Sequence, residues 1–203
     1  MKRWELEIDF GAYGFSVGTG YGFAGRIDRA LARDAHGLPY LPGSALKGKL
    51  RHAAREIAGA LGHTVCEEFC PPHRPACIVC RVFGSPFAAG KLFVTDARCA
   101  ARENPSLGLV SHGREAAPRV WMERSATAIG RGLGVAEPGL RYSAECSPEG
   151  LILRARLEGD FDKAVEADKD KPEERLLRAA CRTIRFAGGG SARGLGGCQC
   201  LLL

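Results

Sequence analysis

Polar and apolar residues alternate at the start of the chain. Trp4, Leu6, Ile8 and Phe10 are separated by Glu5, Glu7 and Asp9, and a period of two with one polar face predicts a half-buried strand. Residues 11–43 are rich in glycine, carry Pro39 and Pro42, and read as a long structured loop region. The period then changes. Leu46, Leu50, Ala53, Ala54, Ile57 and Leu61 recur at helical spacing, which predicts a helix over 44–61 with Ser44 as its N-cap and Gly62 as its stop. Residues 91–97 (KLFVTDA) read as a strand. Segments 119–128 and 140–145 suit a hairpin across the glycine-rich stretch 130–134. Residues 151–157 alternate again and predict a strand. A second helix is expected over 172–184, with Glu173 and Glu174 in its first turn where the helix dipole favours anions. A short apolar strand over 198–203 closes the chain. The order strand, helix, strand, strand, helix, strand is the βαββαβ pattern of an α+β, ferredoxin-like (RRM-like) core, expected here as one domain over 1–203 with insertions.

Composition narrows the class. With 203 residues, 45% hydrophobic and 26% charged, the chain has the make-up of a globular domain and not of a disordered one. No run approaches the roughly 20 apolar residues of a membrane helix. No apolar signal segment follows Met1-Lys2-Arg3-Trp4, so a cytoplasmic protein with no membrane partner is expected. Lys and Arg number 29 against 23 Asp and Glu, a net charge of +6, which favours a polyanionic partner. Nine cysteines without a signal point to metal before disulfide.

Three segments carry candidate chemistry. Cys66, Cys70, Cys77 and Cys80 stand in a C-x3-C-x6-C-x2-C spacing within the loop 63–85. Four thiolates make a closed, structural Zn2+ site, with His73 as a substitute ligand and free thiols or a redox disulfide as alternatives. Cys181, on an apolar helical face, reads as core. The stretch LPGSALKGKLR at 41–51 is a proline turn feeding a helix N-terminus. Ser44, Lys47, Lys49 and Arg51 there could receive phosphate, or simply belong to a capped surface helix. The loop GGGSARGLGG at 188–197 holds Gly189, Gly190, Ser191 and Arg193. Its glycines permit close backbone approach to a ligand or a tight helix-to-strand connection.

Taken together, LPGSALKGKLR, GGGSARGLGG and the upstream stretch GRIDRALARDAHGLP at 25–39 resemble the RAMP superfamily of CRISPR-associated proteins. Within it they are most similar to the Cas7 group of type III systems, of the Csm3-like and Cmr4-like kind. The resemblance implies a backbone subunit that binds the crRNA guide, packs beside copies of itself or similar Cas7 subunits and other type III Cas subunits, and meets target RNA. It implies a thumb hairpin at about 114–145, where Trp121 and Met122 suit wedging an unstacked base pair or a hairpin packing contact equally. It implies RNA contacts by Arg26, Arg29, Arg33, Ser44, Lys47, Lys49, Arg51, Gly189, Gly190, Ser191 and Arg193. It also implies cleavage of target RNA at regular intervals, through the RNA's own 2′-hydroxyl, with Asp28 as the catalytic carboxylate and Mg2+ or Mn2+ as cofactor.

Competing readings attach to several of these residues. Asp28 could pair with Arg29 as a salt bridge. Asp34 is a rival carboxylate that reads more simply as a turn residue, and Asp96 reads as structural. Phe15, Tyr21 and Phe23 suit base stacking or the core equally. The subunit could bind guide RNA without cutting, or process the guide as a Cas6-like ribonuclease. For the last, His36, His52, His63, His73 and His112 lack a catalytic setting. A zinc-dependent transcription factor would need a base-reading helix, and none stands out.

Overall fold

The structure is a computed structural model and describes residues 1–18, 27–99, 121–161 and 172–203. The alternating N-terminal segment forms strand β1 (Lys2–Asp9), and residues 152–159 form β7 (Ile152–Gly159). The two pair antiparallel, with Trp4 opposite Leu157, Leu6 opposite Ala155 and Ile8 opposite Leu153. Those six side chains are buried. On the opposite face the same register puts Glu7 across from Arg154, joined at 2.9 Å, with Glu5 at 3.1 Å from the same guanidinium. Alternation in the sequence has thus become one apolar and one charged sheet face.

The sheet has six strands. The path β2 (Tyr40–Leu41), β4 (Ala97–Cys99), β7, β1, β8 (Gln199–Leu202) is joined by β3 (Leu92–Val94), which also pairs with β7. Every pairing within it is antiparallel. The expected strand at 91–97 is therefore two short strands, β3 and β4, both paired with β7. Thr95 and Asp96 interrupt it, Thr95 keeping contact with Arg156 through its amide (3.0 Å) and its hydroxyl oxygen (2.9 Å).

Helix α1 (Gly43–Ala60) buries Leu46, Leu50, Ala54 and Ala58. It packs on helix α3 (Pro172–Thr183), which buries Leu176, Leu177, Ala180 and Cys181, and α3 lies against β8. Cys181 is core, as its helical face required. Glu173 and Glu174 do more than answer the helix dipole. Glu173 receives Arg81 at 2.8 Å and Lys91 at 2.7 Å, while Glu174 receives Lys2 at 2.7 Å and Arg178 at 3.1 Å. Between the two long helices sits α2 (Ile78–Phe83), a short helix that the aperiodic stretch 63–85 did not announce. Phe15 belongs to the core and stacks on Phe10 at 4.6 Å. Tyr21, Phe23, Arg26, His112 and residues 114–120 of the thumb candidate lie outside the described residues.

Ser44 does not cap α1. The N-cap position is Pro42, without a side-chain hydrogen bond. The carboxylate of Asp96 accepts from the amide of Gly43 at 2.9 Å and so satisfies one of the free N–H groups of the first turn. Gly43 is needed because the β3–β4 turn presses on it. A Cβ there would lie 2.6 Å from the carbonyl oxygen of Val94 and 2.8 Å from that of Thr95.

Strands β5 (Met122–Ile129) and β6 (Ala136–Cys146) pair with each other and form a separate two-stranded sheet. Outward from its base the hairpin is almost wholly exposed, Leu133 and Leu140 included.

Candidate RNA-binding groove and metal centre

The base of the hairpin is fastened to the domain by short polar contacts. Glu145, only 2% exposed, accepts from the amide of Leu31 at 2.9 Å and from the guanidinium of Arg33 at 2.6 Å. Arg33 lies 4.2 Å above the ring of Trp121, so both side chains are engaged inside the domain. Ser147 exchanges hydrogen bonds with Phe15, accepting from its amide through the hydroxyl at 2.8 Å. Asp28 is exposed. One of its carboxylate oxygens accepts from the amide of Ser143 at 2.7 Å, and its own amide donates to the Ser143 carbonyl at 2.9 Å. No Asp28–Arg29 ion pair forms among the described residues. Asp34 is a turn residue, accepting from the amides of His36 (2.9 Å) and Leu38 (3.0 Å).

The glycine loop is stitched to the segment next to that base. The amide of Gly189 donates to Ser16 at 2.7 Å and that of Gly196 to Gly14 at 2.7 Å. Within the loop, Ser191–Arg193 make one 3-10 turn bounded by left-handed Gly190 and Gly194. Gly196 has a φ of +76°, and a Cβ on it would fall onto the carbonyl oxygen of Ala187.

Between this loop, α1 and the hairpin base runs a groove of about 500 Å³. Among the described residues it is lined by Arg29, Lys49, Gly189, Gly190, Ser191 and Arg193 together with Ala45, Tyr142 and Ala144, and no carboxylate is among these lining residues. Arg193 donates to the Tyr142 hydroxyl and lies 5.2 Å from its ring centroid. The sequence pattern does not single out Tyr142, which is one polar-faced position of a strand. The remaining candidates lie elsewhere. Ser44 is exposed on the first turn of α1, beside the groove residue Ala45, and Met122 is exposed at the start of β5. Lys47 faces away from the groove and donates to the Leu92 carbonyl at 2.8 Å. Burial, with Arg51 beside it, lowers its pKa below the usual lysine value.

Arg51 turns to the cysteines. Its guanidinium reaches Cys80 Sγ and the Glu68 carbonyl, each at 3.4 Å, and lies 4.9 Å from the Phe69 ring centroid. The four sulfurs of Cys66, Cys70, Cys77 and Cys80 all lie within 4.8 Å of one another. Cys66 is 3.7 Å from Cys77 and 3.5 Å from Cys80. Tetrahedral zinc with bonds of ~2.3 Å requires sulfurs about 3.8 Å apart, so the set fits that ion. Amides of Cys77 and Cys80 donate to Cys70 Sγ (3.2 Å) and Cys77 Sγ (3.5 Å). Burial and the neighbouring sulfurs push the Cys66 thiol up to about 12. Burial also acts to raise Cys77, but amide and sulfur hydrogen bonds outweigh it and draw that thiol down to about 6. A bound cation is what lets all four ionise together. His73 is exposed and outside the cluster.

The class is thus an antiparallel α+β domain with a glycine-walled basic groove and a four-cysteine centre. The chain belongs to the RAMP superfamily, whose family model matches residues 5–199. Its fold is similar to a chain in the cryo-EM structure of the Type III-B Cmr-beta bound to cognate target RNA, with a TM-score of 0.66 and 15% identity, covering 100% of this chain and 97% of that one. A chain of the Type III-B Cmr-beta apo state gives 0.65 and 15% identity, covering 99% and 97%. No curated protein matches. Among the described residues no helix is long and apolar enough to cross a membrane.

Proposed function

We propose that this RAMP domain is a Cas7-like backbone subunit of a type III CRISPR effector, holding guide RNA in the glycine-walled groove. The observation that carries the reading is the lining of that groove. Two sequence-distant loops, one helix and the hairpin base bring Arg29, Lys49, Ser191 and Arg193 together with no acidic neighbour in the wall among the described residues. Such a surface binds phosphates in a salt-dependent, largely sequence-independent way. In the same reading the β5–β6 hairpin is the thumb, the sheet order β8-β1-β7-β3/β4 is the ferredoxin-like core, Zn2+ pins the loop 63–85, and target RNA and further Cas subunits are the partners.

Cleavage of target RNA is assigned to Asp28. Its carboxylate would accept the proton of an adjacent 2′-hydroxyl. The 2′-oxygen then attacks phosphorus, and the bond to the 5′-oxygen of the next nucleotide breaks, that oxygen taking a proton from water to leave as a 5′-hydroxyl beside a 2′,3′-cyclic phosphate. One carboxylate oxygen of Asp28 is engaged by the Ser143 amide, and among the described residues no cluster of three or more acidic, histidine or cysteine side chains includes Asp28. If Mg2+ or Mn2+ takes part, Asp28 is the residue that would hold it, and no step is routed through such an ion. The same hydrogen bond favours a second reading, a scaffold in which Asp28 only fastens the hairpin.

One pair of variants separates the readings in the assembled guide complex. Asp28→Asn keeps an oxygen for the Ser143 amide and loses the base. If Asp28 is catalytic, target cleavage disappears while target binding is kept. Cleavage at wild-type rate in Asp28→Asn would refute catalysis by this residue. Lys49→Ala with Arg193→Ala should weaken RNA binding and lower its salt slope by about 1 for each phosphate no longer neutralised. An unchanged slope would refute the groove.

A further inference from the structure

The glycine loop has a second side, and that side carries an aromatic shelf. Phe186 and Gly197 face each other as an isolated antiparallel pair at the two ends of the loop. Directly opposed residues of such a pair project to the same face. Gly197 has no side chain to project, and the ring of Tyr13 fills that space. A Cβ on Gly197 would lie 2.8 Å from Tyr13 Cδ2 and 3.0 Å from Cγ. Tyr13 and Phe186 therefore stand side by side, and both are open to solvent, at 51% and 48% exposure. They line a cavity of about 400 Å³ with Arg185, Asp9, Cys198 and Gln199. Arg185 is exposed and has no carboxylate partner among the described residues.

We infer that this shelf takes one unstacked nucleobase of the RNA strand that leaves the groove across the glycine loop, with Arg185 on the adjoining phosphate. The inference rests on the groove holding RNA. The two cavities share the loop as a wall, one contributing Gly188–Leu195 and the other Gly197 and Phe186. The division of labour follows from the side chains. The groove presents cations and bare backbone, which suit phosphates of any sequence. The shelf presents two exposed aromatic rings, which suit a base of any identity, with Asp9 and Gln199 as polar members of the same lining. Tyr13 and Phe186 would otherwise be large aromatic surfaces left in water beside an exposed guanidinium.

The test compares two probes on the full chain: a short unstructured single-stranded RNA, and a linear inorganic polyphosphate that has charge but no bases. Tyr13→Ala and Phe186→Ala should each weaken RNA binding on the order of 10-fold, the size expected for one stacked base, and leave polyphosphate binding as in wild type. Gly197→Ala should reproduce the loss by lifting the Tyr13 ring, and Tyr13→Phe should bind as wild type. Lys49→Ala with Arg193→Ala should weaken both probes. RNA binding unchanged in Tyr13→Ala and Phe186→Ala, with both probes weakened by the groove variants, overturns the shelf and leaves the groove standing. Both probes weakened equally by Tyr13→Ala also overturns it, since the ring would then only support the loop. If the groove variants bind RNA as wild type does, the underlying reading fails instead. A matching far-ultraviolet circular dichroism spectrum and melting midpoint establish that each variant is folded.

Discussion

Replacing glycine by alanine should have opposite effects at two places in one helix. Gly43 is the first residue of α1, and a Cβ there meets backbone of the β3–β4 turn at 2.6 and 2.8 Å. Backbone cannot swing aside like a flexible side chain, so the turn must move away from the helix. Overpacking of this kind costs about 1–3 kcal/mol. Moving the turn also withdraws Asp96 from the Gly43 amide, and losing a cap costs about 1 kcal/mol more. Alanine's better helix propensity returns less than about 1 kcal/mol. The net expectation for Gly43→Ala is a loss of about 2–3 kcal/mol. Gly48 and Gly59 lie in the same helix, exposed, with nothing within 4 Å of an added Cβ. Gly48→Ala and Gly59→Ala should each stabilise by about 0.5–1 kcal/mol, through the entropy that glycine loses on folding. Urea unfolding measures all three, with the denaturant slope held as a check that the transition is unchanged. Asp96→Ala should lose about 1 kcal/mol in wild type and almost nothing in a Gly43→Ala background, because the steric change has already broken the cap. A Gly43→Ala midpoint equal to wild type, or displaced in the same direction as Gly48→Ala, would refute the argument.

Two further outcomes are expected. The four-cysteine cluster should bind one zinc per chain by elemental analysis, and excess metal at about 1,000 times its dissociation constant should stabilise by about 4 kcal/mol. Chelation or Cys80→Ser should raise hydrogen exchange first in α2 and its loop while β1 and β7 keep their protection, and uniform loss across the chain would contradict a local staple. Glu174 supplies a pH dependence. Burial alone would raise its pKa, but hydrogen bonds and charge from Lys2 and Arg178 outweigh that and hold it below the usual carboxylate value. Its contribution is therefore present above the ordinary carboxylate pKa and lost as pH falls through the lowered one. The acid limb of the stability curve should flatten in Glu174→Gln, and an unchanged limb would remove Glu174 as its source.

Long periodic segments were legible because burial of one face imposes their period. β1, β7, α1 and α3 fall within a few residues of their expected bounds for that reason. α2 was not legible, since six residues are too few for a period, and the cysteine cluster at its start with packing on α1 and α3 holds them instead. The break between β3 and β4 was hidden because KLFVTDA reads as one run. Asp96 leaves that run to cap a helix that begins 53 positions earlier. Of the candidate site, the glycine loop, Arg29 and Lys49 were found through motifs and do meet in one groove. Arg33 and Arg51 were not separable from them in sequence. Their roles depend on Glu145 and on Cys80, which lie 112 and 29 positions away. Tyr142 and Glu145 escaped notice because a strand pattern marks a polar position as solvent-facing, and only the docked hairpin base reverses that for Glu145.

At the hairpin base, fold and groove share the same residues. Asp28, Leu31 and Arg33 hold one flank of β6 through Ser143 and Glu145, and Arg193 holds it through Tyr142. These fastenings converge on three neighbouring positions of β6, Tyr142, Ser143 and Glu145, with Leu31 and Arg33 sharing Glu145. A phosphate entering the proposed groove would compete with Tyr142 for Arg193, whose cation alone among these fastenings lines the groove. RNA binding would then loosen the outermost fastening of the hairpin while the buried Glu145 bracket keeps its root in place. An exposed two-stranded hairpin has little stability of its own. Its direction is therefore set by this short row of polar fastenings, and RNA held in the proposed groove would act on that row at its exposed end.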